Sequence, residues 1–339
     1  MVRIGVVGGG SWGSALAILL NNNDHEVHIW MRDKKQVDLI RETRENKKYL
    51  PNIKIPKEIN ISDDIEEVIY GKDLLVLAVP SHGIRKVLEE NRKHFNKKQV
   101  LVNVAKGIEN DTLYRVSQIV KEILPENPYA VLSGPSHAEE VAMNMPTTVV
   151  SASVEKKVAE YVQDVFMSPT FRVYTNTDVI GVELGGALKN VIALGAGISD
   201  GLGYGDNTKA ALMTRGIVEI ARLGEKLGGN IITFAGLAGI GDLIVTCTSM
   251  HSRNRKAGIL IGKGMEIDDV IETVGMVVEG IKTTKSAYEL AKKHDIDMPI
   301  TEEIYDVIYN NKDVKSSVIN LMLRDKKHEM EDIIEKILK

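Results

Sequence analysis

The sequence predicts an α/β amino-terminal domain, doubly wound around a parallel sheet, followed by a mostly α-helical carboxy-terminal domain. Two patterns carry this expectation. Through the first half, short runs rich in Val, Ile and Leu alternate with amphipathic stretches, as buried parallel strands alternate with helices. Beyond residue 177 the strand-like runs stop and long helical periodicities take over. At roughly 150 residues per domain, the 339 residues divide into two, placed at 1–176 and 177–339.

Strand-like runs occupy 2–7, 27–30, 74–79, 100–104 and 130–132, with helical patterns at 14–20, 34–44, 84–90 and 113–124 between them. Residues 147–150 and 171–174 extend the sheet, and 155–166 reads as the helix joining them. In the second half the helical patterns run 178–198, 207–227, 252–261, 281–293, 302–308 and 314–326, separated by Gly-rich turns.

Hydrophobic residues make up 43% and charged residues 27%, which fits a folded globular chain and not a disordered one. A formal charge of −4 argues against a dedicated nucleic-acid binder. The single cysteine, Cys247, cannot close an intrachain disulfide, so it suits a reducing cytoplasm and excludes multi-Cys zinc modules. It is expected to pack as a small apolar residue. No run reaches the ~18 consecutive apolar residues of a membrane span. Residues 1–7 are cut off by Gly8-Gly9-Gly10 and lack the architecture of a secretory signal. No His/Asp/Glu cluster has metal-ligand spacing. The expectation is a soluble cytoplasmic protein with no metal and no nucleic-acid or membrane partner.

Gly8-x-Gly10-x-x-Gly13 follows the first strand and opens the first helix. In that context Gly8 permits the tight turn, Gly10 lets backbone approach a pyrophosphate, and Gly13 allows close helix–sheet packing. The helix N-terminus adds free N–H groups and partial positive charge for the phosphates. This is the dinucleotide-binding signature of a Rossmann-type domain. Arg32 lies 24 positions beyond Gly8, and its guanidinium suits a ribose 2′-phosphate. Asp33 suits a ribose hydroxyl instead, so NADP is favoured and NAD stays open.

Lys106 and the Ser133-Gly134-Pro135-Ser136 turn follow predicted strands, on the sheet edge where such folds bind ligands. The lysine suits a phosphate or a developing oxyanion; a plain surface turn is the other reading of both. Lys189 is the only basic residue in an apolar, small-residue helical run, and it leans back over Gly185 and Gly186. The space above those glycines admits either a ligand or a close-packed element. A lysine so placed serves as general acid or base, or else snorkels to solvent. Ser252 reads as an N-cap, and Arg253, Arg255 and Lys256 crowd the first turn behind it. Cations are unfavourable there unless a phosphate is bound. Asp242, ending a Gly-rich turn, suits either orienting a lysine or accepting a substrate hydroxyl.

Taken together, these segments resemble the bacterial-type NAD(P)-dependent glycerol-3-phosphate dehydrogenases. The matching stretches are 8–15, 49–51, 105–108, 133–136, 183–190, 203–207, 241–243, 252–258 and 277–280, in the family's order along nearly the whole chain. The resemblance implies a helical domain like that of 6-phosphogluconate dehydrogenases. It implies NAD(P)H-dependent, reversible reduction of dihydroxyacetone phosphate to sn-glycerol 3-phosphate, supplying phospholipid synthesis. By the same likeness Lys189 exchanges the hydroxyl proton and Lys106 contacts cofactor and substrate. Gly134, Ser136, Asp242, Ser252, Arg253 and Asn254 match substrate-contacting positions. Ser11, Trp12, Arg32, Ala138, Arg253, Val277 and Glu279 match cofactor-contacting ones. An apolar surface on the helical domain would pair two chains as a homodimer. Two rivals stand beside this reading: a related β-hydroxyacid or 6-phosphogluconate-type dehydrogenase, and a non-catalytic NAD(P)H-sensing protein.

Overall fold

The aliphatic runs of the first half become strands because both faces of the sheet are covered, and Ile4, Val6, Leu74 to Leu77, Leu101 and Val102 are fully buried. A computed structural model describes residues 1–326 and residue 329. Its first unit comprises Met1–Lys106 and Tyr114–Val179, and its second Gly107–Leu113 with the chain from Ile180 onward.

The first unit runs β1 (Arg3–Val7), α1 (Ser11–Asn22), β2 (Glu26–Trp30), α2 (Lys34–Thr43), β3 (Glu45–Asn46), β4 (Leu50–Lys54), β5 (Asn60–Ser62) and α3 (Ile65–Ile69). It continues through β6 (Leu74–Leu77), α4 (Ile84–Asn91), β7 (Val100–Asn103), α5 (Val116–Ile123) and β8 (Tyr129–Ser133). It closes with α6 (Ala138–Ala142), β9 (Thr147–Ala152), α7 (Lys156–Phe166) and β10 (Phe171–Asn176). Eight strands form one sheet in the order β10-β9-β8-β7-β6-β1-β2-β5, while β3 and β4 pair separately. From β1 the chain adds β2 on one side and later β6, β7 and β8 on the other. The switch point therefore lies between β1 and β6, where such sheets bind ligands beyond their carboxyl ends.

Three local expectations need correction. The sheet is not wholly parallel, for β8 and β9 pair antiparallel. Their connection holds only the five-residue α6, which packs against α1, and the strand after it returns in the opposite direction. The helix expected from 113 begins at Val116, because Leu113 takes a left-handed φ of 62°. Residues 107–113, expected in the first domain, belong to the second unit. Ile108 is part of that unit's core, and Ser286 donates its hydroxyl to Asn110 Oδ1 at 2.6 Å.

Among its described residues the second unit's regular elements are helical, chiefly α8 (Val179–Gly201), α9 (Asp206–Lys226), α10 (Asp242–Thr248), α11 (Arg253–Gly262), α12 (Ile267–Val274), α13 (Glu279–His294), α14 (Pro299–Tyr309) and α15 (Val314–Met322). Residues 327, 328 and 330–339 of the expected second domain lie outside the described residues. By length and composition α8 could cross a membrane, yet 94% of its most apolar stretch is buried inside the protein. It is the core helix around which the unit packs.

Candidate functional site

In the first unit, β1 delivers the glycine turn to the switch point. Gly8 has φ 118°, and a Cβ there would sit 2.7 Å from the Ala78 carbonyl carbon. A Cβ on Gly13 would lie 1.9 Å from the Gly8 oxygen, so α1 can settle onto the turn only with glycine at that position. A Cβ on Gly10 would meet nothing within 4 Å. The turn therefore opens to space at the point where a pyrophosphate would approach. No side chain caps α1 and no acid stands in its first turn, which suits its N–H groups to an anion. Ser11 and Trp12 are half-buried beside them, and Trp12 Nε1 is buried with no hydrogen-bond partner. A dinucleotide fits this cradle.

At the end of β2, Asp33 caps α2, its Oδ1 accepting from Lys35 N–H at 3.0 Å. Its neighbour Arg32 is an exposed cation. Ala138 opens α6 and is a buried core residue. Beyond β7 and β8, two side chains converge on one carbonyl: Lys106 Nζ donates to Gly134 O at 3.0 Å, and Ser136 Oγ donates to the same atom at 2.9 Å. Lys106, Gly134 and Ser136 are thus one cluster, drawn from adjacent parallel strands.

In the second unit, Lys189 is buried on α8 at 5% exposure, beside Asp242 at 1% and Thr246 at 4%. A π-helical turn, Leu237–Gly241, leads into α10 and places Asp242 as its first residue. The space above Gly185 is taken by that turn, since a Cβ would lie 2.5 Å from the Ala238 oxygen. Of the two readings for those glycines, the close-packed element holds at Gly185. Lys189 Nζ donates to Asp242 Oδ1 and to Thr246 Oγ1 at 2.7 Å. The Thr246 hydroxyl in turn donates to the Asp242 carbonyl at 2.6 Å. Lys189 does not snorkel: it is an ammonium held by a buried carboxylate and a hydroxyl. Burial pushes the adjacent Cys247 thiol up to about 12, so it packs as an inert apolar group.

Ser252 is the N-cap of α11, accepting from Arg255 N–H at 3.2 Å, and half-buried Arg253 opens the helix. The crowding of cations there is relieved within the protein at Arg255. Arg255 Nε and Nη2 each reach Asp200 Oδ2 at 2.7 Å, and Lys209 joins the same carboxylate at 2.7 Å. Asn254 is buried and bonded inward: its Nδ2 donates to Asn190 Oδ1 at 2.8 Å, and its Oδ1 accepts from Gly280 N–H at 2.8 Å. One amide side chain thereby ties α11 to α8 and to the start of α13. Half-buried Val277 and Glu279 stand at that start.

Family models described as the N-terminus and C-terminus of NAD-dependent glycerol-3-phosphate dehydrogenase match residues 3–159 and 178–319. The chain belongs to this family. It is 56% identical to the NAD(P)+ glycerol-3-phosphate dehydrogenase of Thermoanaerobacter sp. (strain X514), over 98% of this chain and 100% of that one. The enzyme of the same name from Bacillus subtilis (strain 168) is 54% identical over 98% of both chains. Among solved structures, glycerol-3-phosphate dehydrogenase from Coxiella burnetii superposes with a TM-score of 0.92 at 36% identity, covering 95% of this chain and 99% of that one.

Three members of this dehydrogenase's network escape a reading of the residues. Thr246 lies four positions after Asp242, on the same helical face, so its spacing was a usable signal. Asn190 adjoins Lys189, but nothing local connects it to Asn254. The Asp200–Arg255 pair likewise spans 55 positions and exists only through packing.

Proposed function

We propose that this protein is an sn-glycerol-3-phosphate dehydrogenase. It reversibly reduces dihydroxyacetone phosphate to sn-glycerol 3-phosphate with NADPH or NADH, in the cytoplasm, and supplies phospholipid synthesis. The buried Lys189–Asp242–Thr246 cluster carries the reading, because a chain of this family there holds a proton-bearing group in fixed orientation. When bound, the nicotinamide supplies or takes up the hydride at substrate C2. Lys189 gives a proton to the C2 oxygen as the ketone is reduced and takes it back as the alcohol is oxidised. Asp242 balances the ammonium charge, and Thr246 fixes the direction of its N–H bonds. Lys106, gathered with Gly134 and Ser136, supports negative charge on the C2 oxygen. Arg253 and the N-terminus of α11 hold the substrate phosphate, and Asn254 keeps that helix start in place. NADPH is the favoured cofactor, since Asp33 serves α2 and Arg32 is left facing solvent. A homodimer belongs to the same proposal; the exposed Ile319, Met322 and Leu323 around the end of α15 offer an apolar surface to pair.

Steady-state reduction of dihydroxyacetone phosphate with NADPH and NADH in parallel is the test, beside a panel of 2- and 3-hydroxy acids. Turnover with the phosphorylated ketone and none with the acids is expected. Lys189→Ala should lose about 10²–10⁴ in kcat while still quenching in an NADPH fluorescence titration. Near-normal turnover in that variant sinks the assignment.

A further inference from the structure

Lys106 is the last residue of the first unit, and the residues just after it, Gly107–Leu113, belong to the second. On its amino side the lysine is held by its own sheet. The Asn103 side chain folds forward over Ala105, accepting from its N–H at 3.0 Å and donating to its carbonyl at 3.1 Å. Val104 N–H donates to the Leu77 carbonyl at 3.2 Å and continues the β6–β7 ladder by one residue. On the carboxyl side, residues 104–115 contain neither strand nor helix. Regular structure cannot hold the chain there.

The second unit's core holds it instead. Ile108 is 3% exposed within that core, and Leu113 packs against it. Between them, Ser286 of α13 is wholly buried and donates to Asn110 Oδ1 at 2.6 Å, with the Ile108 carbonyl 3.4 Å away. A hydroxyl inside a helix ordinarily bonds back to the carbonyl four residues earlier. Thr284 of the same helix does so, donating to Gly280 O at 2.7 Å. Ser286 spends its proton on the segment that leaves Lys106.

We propose that Ser286, acting through Asn110, is a positioning residue for Lys106. The Asn103 clasp ties the chain just before Lys106 within the first unit, and the Ser286 anchor ties the chain just after Gly107 within the second, so each flank of the lysine's backbone is held in its own unit. The ammonium stands at the end of a long side chain, which amplifies any backbone rotation. Misplacement of a reacting group by about 1 Å can cost ~10²-fold in rate. The inference rests on Lys106 contacting the substrate, as the proposed function has it.

A double-mutant cycle on the whole enzyme separates positioning from mere scaffolding. Ser286→Ala should lower kcat/KM for dihydroxyacetone phosphate about tenfold. Lys106→Ala should lower kcat/KM further, and the double variant should fall no lower than Lys106→Ala alone. If Lys106→Ala is impaired and the double variant loses the product of the two factors, Ser286 does not act through Lys106 and the inference is overturned. If Lys106→Ala is itself near wild type, the substrate-contacting role of Lys106 fails first and takes the inference with it. Should Ser286→Ala not fold, the same cycle runs with Asn110→Ala, which removes the acceptor from a half-buried loop.

Discussion

Arg32 and Asp33 stand side by side after β2, yet local hydrogen bonding divides their tasks. Asp33 accepts from the first turn of α2, which is the ordinary duty of an N-cap carboxylate. In the proposed function Arg32 carries the cofactor preference, since a guanidinium gains charge-assisted hydrogen bonds from a 2′-phosphate that a 2′-hydroxyl cannot offer. Arg32→Ala should therefore raise the KM for NADPH by about 10–100-fold, the loss expected for a hydrogen bond to a charged group. The KM for NADH should move little. Equal losses for the two cofactors would show that Arg32 does not read the 2′-phosphate. Lys189 and Asp242 were legible for a comparable local reason: each is a charged residue stranded among apolar and small ones. Asn254 was legible only as a position in a motif, because both of its partners arrive from distant helices.

Elements that repeat a period long enough to see were legible, and short ones were not. The buried strands and the long helices of the second unit follow the expected runs within a few residues. α3 and α6 have five residues each, less than two helical turns, and leave no period to detect. The reversed direction of β9 depends on pairing across the sheet, which no local pattern encodes. The start of α14 shows the same dependence. Its N-cap, Met298, makes no side-chain capping hydrogen bond, and Glu219 of α9 caps the helix from a distance. The carboxylate accepts from Ile300 N–H at 2.7 Å, and from Thr301 N–H and Oγ1 at 3.1 Å. Burial outweighs these bonds and pushes the Glu219 carboxyl from 4.5 up to about 7. The native state then holds this proton more tightly than the unfolded chain. The stability it contributes is full below pH 4.5, falls as pH rises towards 7, and is lost above. The change across that window is about 3 kcal/mol. Urea midpoints measured against pH should show this slope in the wild type and not in Glu219→Gln. Parallel curves for the two proteins would refute the titration.

At the scale of the whole molecule, length and patterning predicted domains at 1–176 and 177–339, and the structure divides into two units with different bounds, each with its own buried core. Neither could show that the chain visits the second unit early, returns, and enters it again. Ile108 follows a first-unit strand by a few residues, and its apolar side chain looks like a continuation of that strand. Only long-range packing assigns it elsewhere. Ile108→Ala gives that assignment a consequence the sequence alone would place wrongly. Removing a fully buried isoleucine side chain costs about 2–5 kcal/mol through lost transfer energy and the cavity left behind. The loss should appear where the side chain packs and not where it sits in the sequence. Hydrogen exchange followed by mass spectrometry should show amides of α8 and α13 losing protection, while those of β6 and β7 keep theirs. Loss of protection centred on β6 and β7 would return residues 107–113 to the first unit. It would also remove the carboxyl-side anchor on which the positioning of Lys106 depends.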